Sequence, residues 1–249
     1  MKLLWLSAVC GAALLPALAA STANGADRTF RDSEGRAIQF RTHVGDAPLG
    51  RYAQVLRNAI HGDEIERLTI EVVRPGDVEQ VCATRGAVAC HIHGGTRGPR
   101  IIIAPGPRAE RLLLHEYGHH LDIHLGNGAR PEPNGTPRWW RARGVTANVR
   151  SGRLNRGYGA GWHEAVPELF AEDYARLNGG SGWLIRGVEP PTRSVLRALR
   201  RDLRAALRAR TGAPRKGRRI LAQRGLLARS DRNVILFRTG PTPELIWGK

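Results

Sequence analysis

The 249-residue sequence has only three lysines, Lys2, Lys216 and Lys249, so arginine carries almost all of its net charge of +17. A basic balance of this size favours association with anionic surfaces, such as nucleic acid, acidic polysaccharide or phospholipid headgroups. It fits equally well with a compositional preference for arginine at solvated positions. The charge therefore points to association and leaves the chemistry open.

Long apolar runs are also scarce. The one at the start, residues 3–18, follows the basic Lys2 and leads into small residues, Ala19-Ala20-Ser21-Thr22-Ala23. It is shorter than the roughly 20 apolar residues of a membrane span, and Pro16 interrupts it. This order predicts a cleaved secretory signal peptide over residues 1–25. We therefore expect an extracellular or periplasmic chain with no transmembrane segment in its mature part.

Cysteine is also scarce, with three residues in the sequence. Because Cys10 leaves with the predicted signal peptide, the mature chain keeps only Cys82 and Cys90. Their spacing excludes a CxxC metal pair. Two neighbouring cysteines in an exported chain predict a disulfide that closes a short loop.

Apolar periodicity before residue 126 predicts an α+β fold. Strands are predicted at residues 36–44, 68–73, 88–93 and 101–103, and helices at 48–60 and from about Pro107. This order favours a zincin-like arrangement, in which a small mixed sheet packs on the last of these helices. Residues 26–190 are expected to form this domain.

The second half of the chain predicts loops and helices. Between Gly126 and Gly161 the composition favours long loops, with one short helix around Pro137 to Arg143. A helix is predicted from about Trp162 to Leu177. A weaker pattern at Val234 to Phe237 predicts a strand near the end of the chain.

Residues 191–249 are expected to form an arginine-rich amphipathic helix, from Thr192 to Arg210, and a C-terminal tail. One stripe of this helix is apolar: Leu196, Leu199, Leu203 and Leu207. We expect the stripe to pack on the preceding domain. The arginines would then face an anionic partner: Arg193, Arg197, Arg200, Arg201, Arg204 and Arg208.

The segment Arg108 to Leu125 is apolar on nearly every face, which predicts a buried central helix. His115 and His119 are four residues apart, so both imidazoles project from one face and can share one Zn²⁺. Glu116 lies beside them, where it can reach a water on the metal without binding the metal. This is the HExxH pattern, although hydrogen-bonded core histidines are an alternative. Gly118 would let another element approach closely beside the metal.

A catalytic zinc also needs a third protein ligand and an open position. A third histidine at the HExxHxxGxxH position is excluded, because Asp122 and Leu125 occupy the required glycine and histidine positions. The helix that follows carries a stripe of carboxylates, which is also what a solvated face would show. Several candidates compete for the third ligand: Glu164, Glu168, Glu172, His163 and Asp122.

Two short blocks resemble the gluzincin metallopeptidases, and most nearly the catalytic domain of anthrax-lethal-factor-type toxins. They are His115-Glu116-Tyr117-Gly118-His119-His120-Leu121-Asp122 and Glu168-Leu169-Phe170-Ala171-Glu172-Asp173-Tyr174. The resemblance implies that Glu168 is the third zinc ligand. It also implies that Glu172 accepts the spare N–H of a ligand histidine and so holds its tautomer. Asp122 competes for this role.

The same family uses a tyrosine or histidine to stabilise the oxyanion. The expected tyrosine is out of register here, since Gly161 and Trp162 occupy that region. Tyr158 is the nearest substitute, and a purely structural role for it is the alternative.

Together these patterns predict a secreted zinc endopeptidase with Glu116 as general base. A peptide substrate would pair with an exposed strand, either residues 88–93 or residues 101–103. One alternative is a basic secreted protein that binds nucleic acid or acidic glycan, with structural histidines and salt-sensitive binding. Another is a catalytically inactive zincin that serves as an interaction module. The intact Glu116 argues against this last alternative.

Overall fold

The computed structural model describes residues 25–126 and 134–211. Residues 1–24 of the predicted signal segment, the predicted strand at Val234 to Phe237 and most of the C-terminal tail lie outside these ranges. Within them, no helix has both the length and the apolar character that crossing a bilayer requires.

The described residues form one five-stranded mixed sheet. Its strands are β1 (Ala26–Arg31), β2 (Ala37–Thr42), β3 (Thr69–Val72), β4 (Ala89–Ile92) and β5 (Arg100–Ile103), in the spatial order β1-β2-β3-β5-β4. The three inner strands run parallel, and each outer strand is antiparallel to its neighbour. Strand β4 is therefore an edge strand.

Seven α-helices accompany this sheet in the described ranges. They are α1 (Leu49–Asn58), α2 (Val78–Cys82), α3 (Ala109–Gly126), α4 (Pro137–Ala142), α5 (Val145–Arg150), α6 (Val166–Leu177) and α7 (Arg193–Thr211). Helix α3 packs against β4 and β5 on one side and along α6 on the other. It is buried on most faces, as its apolar sequence predicted. The α+β class is thus confirmed.

Each strand and helix predicted within the described ranges is present, and β1, α2 and α5 are additional. Strand β1 is polar and mostly exposed, so it has no apolar alternation to detect. Helix α2 is only five residues long, and the residue that follows it, Ala83, lies in the left-handed region, with φ 51°. Periodicity cannot identify an element of this length.

The predicted disulfide is confirmed. Cys82 at the end of α2 is bonded to Cys90 in β4, and their Cα atoms lie 6.1 Å apart, an ordinary distance for a disulfide. Both residues are fully buried in a small apolar cluster with Ile102. The bond therefore fixes α2 to the edge strand of the sheet.

Helix α7 packs on the main core. Leu199, Leu203 and Leu207 are buried as predicted, while Leu196 is half-buried and Val195 takes its place in the buried row. The arginines named above are all exposed. The anionic partner expected for them stays a prediction.

A buried carboxylate links α7 to α4. Asp202 accepts the backbone N–H of Arg138 at 2.7 Å and that of Trp139 at 3.2 Å. These N–H groups lie in the first turn of α4 and have no partner within their own helix. The Trp139 indole in turn donates to Asp173 of α6 at 2.7 Å. Helices α7, α4 and α6 thus form one connected unit.

The close approach expected at Gly118 occurs between α3 and α6. A Cβ atom at Gly118 would lie 2.7 Å from the Cα of Ala171. The obstacle is backbone, which cannot rotate away as a flexible side chain can. Glycine is therefore required at this crossing.

We expect Gly118→Ala to lower the free energy of unfolding by about 1–3 kcal/mol, because the added methyl group overpacks the crossing. Gly50→Ala is the matched control, since a Cβ in that helix meets nothing within 4 Å. The control should leave stability unchanged or raise it by up to about 1 kcal/mol. Urea unfolding of both variants tests this, and a fully stable Gly118→Ala would contradict the packing described.

Candidate metal centre

Helix α3 presents His115 and His119 on the face that meets α6. Their ring centroids are 4.9 Å apart, and both side chains are almost completely buried. One helical turn separates them, so their Nε2 atoms approach the same point. A buried pair of this kind needs a polar partner from the facing element.

That partner is Glu168, in the first turn of α6. Its two oxygens lie 3.1 Å from Nε2 of His115 and 3.3 Å from Nε2 of His119. Two ligand atoms bound to one tetrahedral zinc at about 2.0–2.1 Å would lie about 3.3–3.4 Å apart. The contacts therefore have the spacing of ligands that share one cation.

These three residues form a group that could hold a metal ion. Their potential ligand atoms all lie within 4.8 Å of one another, and no other group of three in the described ranges does so. Two imidazoles and one carboxylate also form a donor set found in catalytic metal sites. The structure thus brings together the predicted set, which can hold a metal ion.

The charges at the site also favour a cation. Burial opposes protonation of His115, but its contacts with Glu168 and Glu172 outweigh burial and raise its pKa to about 10. Burial raises the pKa of Glu168, but its contacts with His119 and His115 outweigh burial and lower the pKa to about 2. The two carboxylates thus favour positive charge next to His115, which a bound cation would supply.

Glu172 holds the other nitrogen of His115, with Oε1 2.8 Å from Nδ1. Its oxygens also accept two hydrogen bonds from one nitrogen of Arg111, at 2.6 and 2.7 Å. Arg111 was missed by sequence reasoning, although it lies one turn before His115 on the same helix. The arginine fixes the carboxylate, and the carboxylate orients the imidazole.

Asp122, the competitor for that role, accepts the backbone N–H of Gly135 at 2.6 Å. It is buried near the end of α3 and holds the chain entering α4. It also lies close enough to Tyr158 to contribute to the raised pKa of that phenol.

Glu116 lies beside the ligand set and is buried. Burial raises the pKa of Glu116 well above the usual value. The charge of His115 lowers this pKa, and the charges of Glu168 and Glu172 raise it further. The backbone N–H of His91 in β4 donates to its carboxylate, while Oε2 has no hydrogen-bond partner among the described residues. Oε2 is therefore available for a hydrogen bond with a bound molecule.

Tyr158 comes from a short 3₁₀ turn, Tyr158–Ala160, and its hydroxyl is buried next to Glu168. Burial, followed by the charges of Glu168 and Glu116, raises the pKa of this phenol far above its usual range. The hydroxyl thus keeps its proton and remains a hydrogen-bond donor. The structure brings Tyr158 to the site despite its shifted position in the sequence.

Two competing ligands lie outside the group. His163 is engaged through Nδ1 with the carbonyl of Leu184 at 2.8 Å. Glu164 precedes α6, which begins at Val166 rather than at the predicted Trp162. The reason is local: Asn155 pairs with the extended backbone of Glu164 and Val166, and Pro167 lies in the first turn of the helix.

The sequence matches no protein-family model, and comparison with curated proteins finds no match. The assignment of the site therefore depends on its own geometry.

We expect Glu168→Ala to purify without metal at the His115 site, because the set loses a ligand and its only oxygen donor. Glu172→Ala should retain metal with affinity reduced about 10–100-fold, since it only orients His115. Glu164→Ala is the matched control and should bind normally. Metal analysis and competition with a chelator measure these effects. Normal metal binding by Glu168→Ala, with loss in Glu164→Ala, would overturn the assignment.

Proposed function

We propose that the protein is a secreted zinc-dependent endopeptidase with a zincin-like fold. The observation that carries this proposal is that a buried group of two histidines and a glutamate lies beside Glu116, a buried carboxyl group that is not one of the three candidate ligands. A site for metal alone would not need this extra buried carboxyl group. The resemblance of both helices to gluzincin sequences agrees with the proposal.

His115, His119 and Glu168 would hold the zinc ion. When bound, zinc supplies a Lewis acid that lowers the pKa of a water molecule to about 7 and polarises a carbonyl group. Glu172 and Arg111 keep His115 in the tautomer that directs Nε2 to the ion.

Glu116 is proposed as the general base. Its raised pKa suits a group that takes a proton from the attacking water and then gives it to the leaving amine. The backbone N–H of His91 restrains the carboxylate during this exchange.

Tyr158 is proposed to stabilise the oxyanion. Its protonated, buried hydroxyl next to Glu168 can donate a hydrogen bond to the substrate oxygen that gains negative charge.

Strand β4 is proposed to bind the peptide substrate. The sequence left two strands open, but β5 lies between β3 and β4 and has no edge available. An extended peptide could add to the outer edge of β4 through main-chain hydrogen bonds. A small cavity beside His115 and Glu116 would receive one apolar side chain. It is about 60 Å³ in volume, and its apolar lining is Val88, Ala89, Leu112, Trp162 and Leu184.

Secretion is proposed from two features. The Cys82–Cys90 disulfide is typical of an oxidising compartment outside the cytosol. The predicted signal peptide would direct the chain there.

We expect Glu116→Gln to lower kcat for a casein-derived peptide by at least about 10²–10⁴-fold while zinc content and melting temperature stay the same. The amide keeps the shape but cannot accept the proton. Glu110→Gln, on the same helix and partly exposed, is the matched control and should keep full activity. Undiminished hydrolysis by zinc-loaded Glu116→Gln would refute the proposed mechanism.

Tyr158→Phe should reduce kcat by about 10²–10³-fold with little change in KM, because only the transition state uses the hydroxyl. Tyr52→Phe, in α1, is the control. Steady-state kinetics distinguish the two roles considered for Tyr158. Equal kcat values for Tyr158→Phe and the wild type would make Tyr158 a structural residue.

A further inference from the structure

Six of the nine histidines lie on α3 or in and just after β4, the strand that packs against this helix. Two of them belong to the metal centre described above. The other four lie at the end of β4 and in the C-terminal half of α3, and we call them the second histidine group: His91, His93, His120 and His124. The proposed peptidase mechanism uses none of their imidazoles.

Two buried imidazoles form the centre of this group. Nδ1 of His120 lies 3.3 Å from Nε2 of His91, and the ring centroids are 5.3 Å apart. This separation is at the long end of the hydrogen-bond range. It equals the spacing of about 3.3–3.4 Å for two nitrogens on one tetrahedral zinc. The same spacing occurs between His119 and Glu168.

The orientation of His120 also fits a metal ligand. Its Nε2 lies 3.3 Å from the backbone carbonyl of Glu64, which can accept the proton of that nitrogen. The proton is then on Nε2, and the lone pair of Nδ1 points to His91. Metal-binding histidines are commonly fixed by a backbone carbonyl in this way.

Two half-buried histidines flank the pair. His93 follows His91 by two residues, and its Nδ1 has no hydrogen-bond partner among the described residues. His124 follows His120 by one helical turn, and their rings stack with centroids 6.4 Å apart. The His91 and His93 centroids are 6.2 Å apart. A third ligand therefore requires one of these partly exposed rings to turn inward.

We propose that the second histidine group binds a second divalent transition-metal ion. His91 and His120 would supply two ligands, and His93 and His124 would complete the set. Imidazole donors without carboxylate suit Zn²⁺, Cu²⁺ or Ni²⁺ rather than Mg²⁺ or Ca²⁺. The ion would tie the edge strand β4 to α3. This second site does not depend on the proposed peptidase activity, since the two sites share no ligand.

Zinc binding to the metal-free full-length protein tests the proposal by equilibrium dialysis and metal analysis. The wild type should bind two equivalents. Glu168→Ala should keep one, held by the second histidine group. His93→Ala/His124→Ala should keep the equivalent at His115, His119 and Glu168 and lose the one held by the second histidine group. The affinity of that second site should weaken more than about 100-fold, beyond the effect of residues that only support ligands. His43→Ala, a partly exposed histidine paired with Glu71, is the control and should bind two equivalents.

A single zinc equivalent in the wild type, with none in Glu168→Ala, would show that His91 and His120 share only a hydrogen bond. Two equivalents in the double variant would also overturn the site. His120→Gln provides a second variant at the buried centre, and circular dichroism reports whether each variant folds. If Glu168→Ala keeps its equivalent while all peptide hydrolysis is absent in the wild type, the proposed function fails and the second site stands.

Discussion

Two carboxylates and two imidazoles are buried together where α3 meets α6. Charged groups removed from water must be paired, because an uncompensated one costs several kcal/mol or more. Here Glu168 contacts both histidines, and Glu172 contacts His115 and Arg111. These contacts are short, so α3 and α6 must keep a fixed distance and orientation. The packing around the two helices meets that requirement.

Close contact between the helices is possible because Gly118 allows the backbone of Ala171 to approach. On its far side, α6 is held through Asp173, which contacts Trp139 and Arg143 of the α4 region. Helix α7 then fixes α4 through Asp202. On the other side of α3, the disulfide anchors β4 beside Glu116. Elements distant from His115, His119 and Glu168 thus determine where these candidate ligands lie.

The sequence predicted the parts of this arrangement that are local. Helical spacing placed His115 and His119 on one face, and the apolar pattern indicated that α3 is buried. Other features depend on tertiary contacts that no spacing reveals. In the sequence, Glu164 and Glu168 lie on the same stripe of a predicted helix, so only the resemblance to gluzincins favoured Glu168. In the structure, the backbone pairing of Asn155 with Glu164 and Val166 makes the helix begin after Glu164. The contact of the His91 backbone with Glu116 likewise arises only when β4 takes the edge of the sheet.

His115, His119 and Glu168 are proposed to hold one catalytic zinc ion. Anomalous diffraction at the zinc absorption edge, from crystals of the zinc-loaded protein, tests this proposal most directly. We predict a peak within about 2.0–2.2 Å of Nε2 of both histidines and of a Glu168 oxygen, with an open fourth position facing Glu116. Zinc found at other residues while this site contains none would contradict the account.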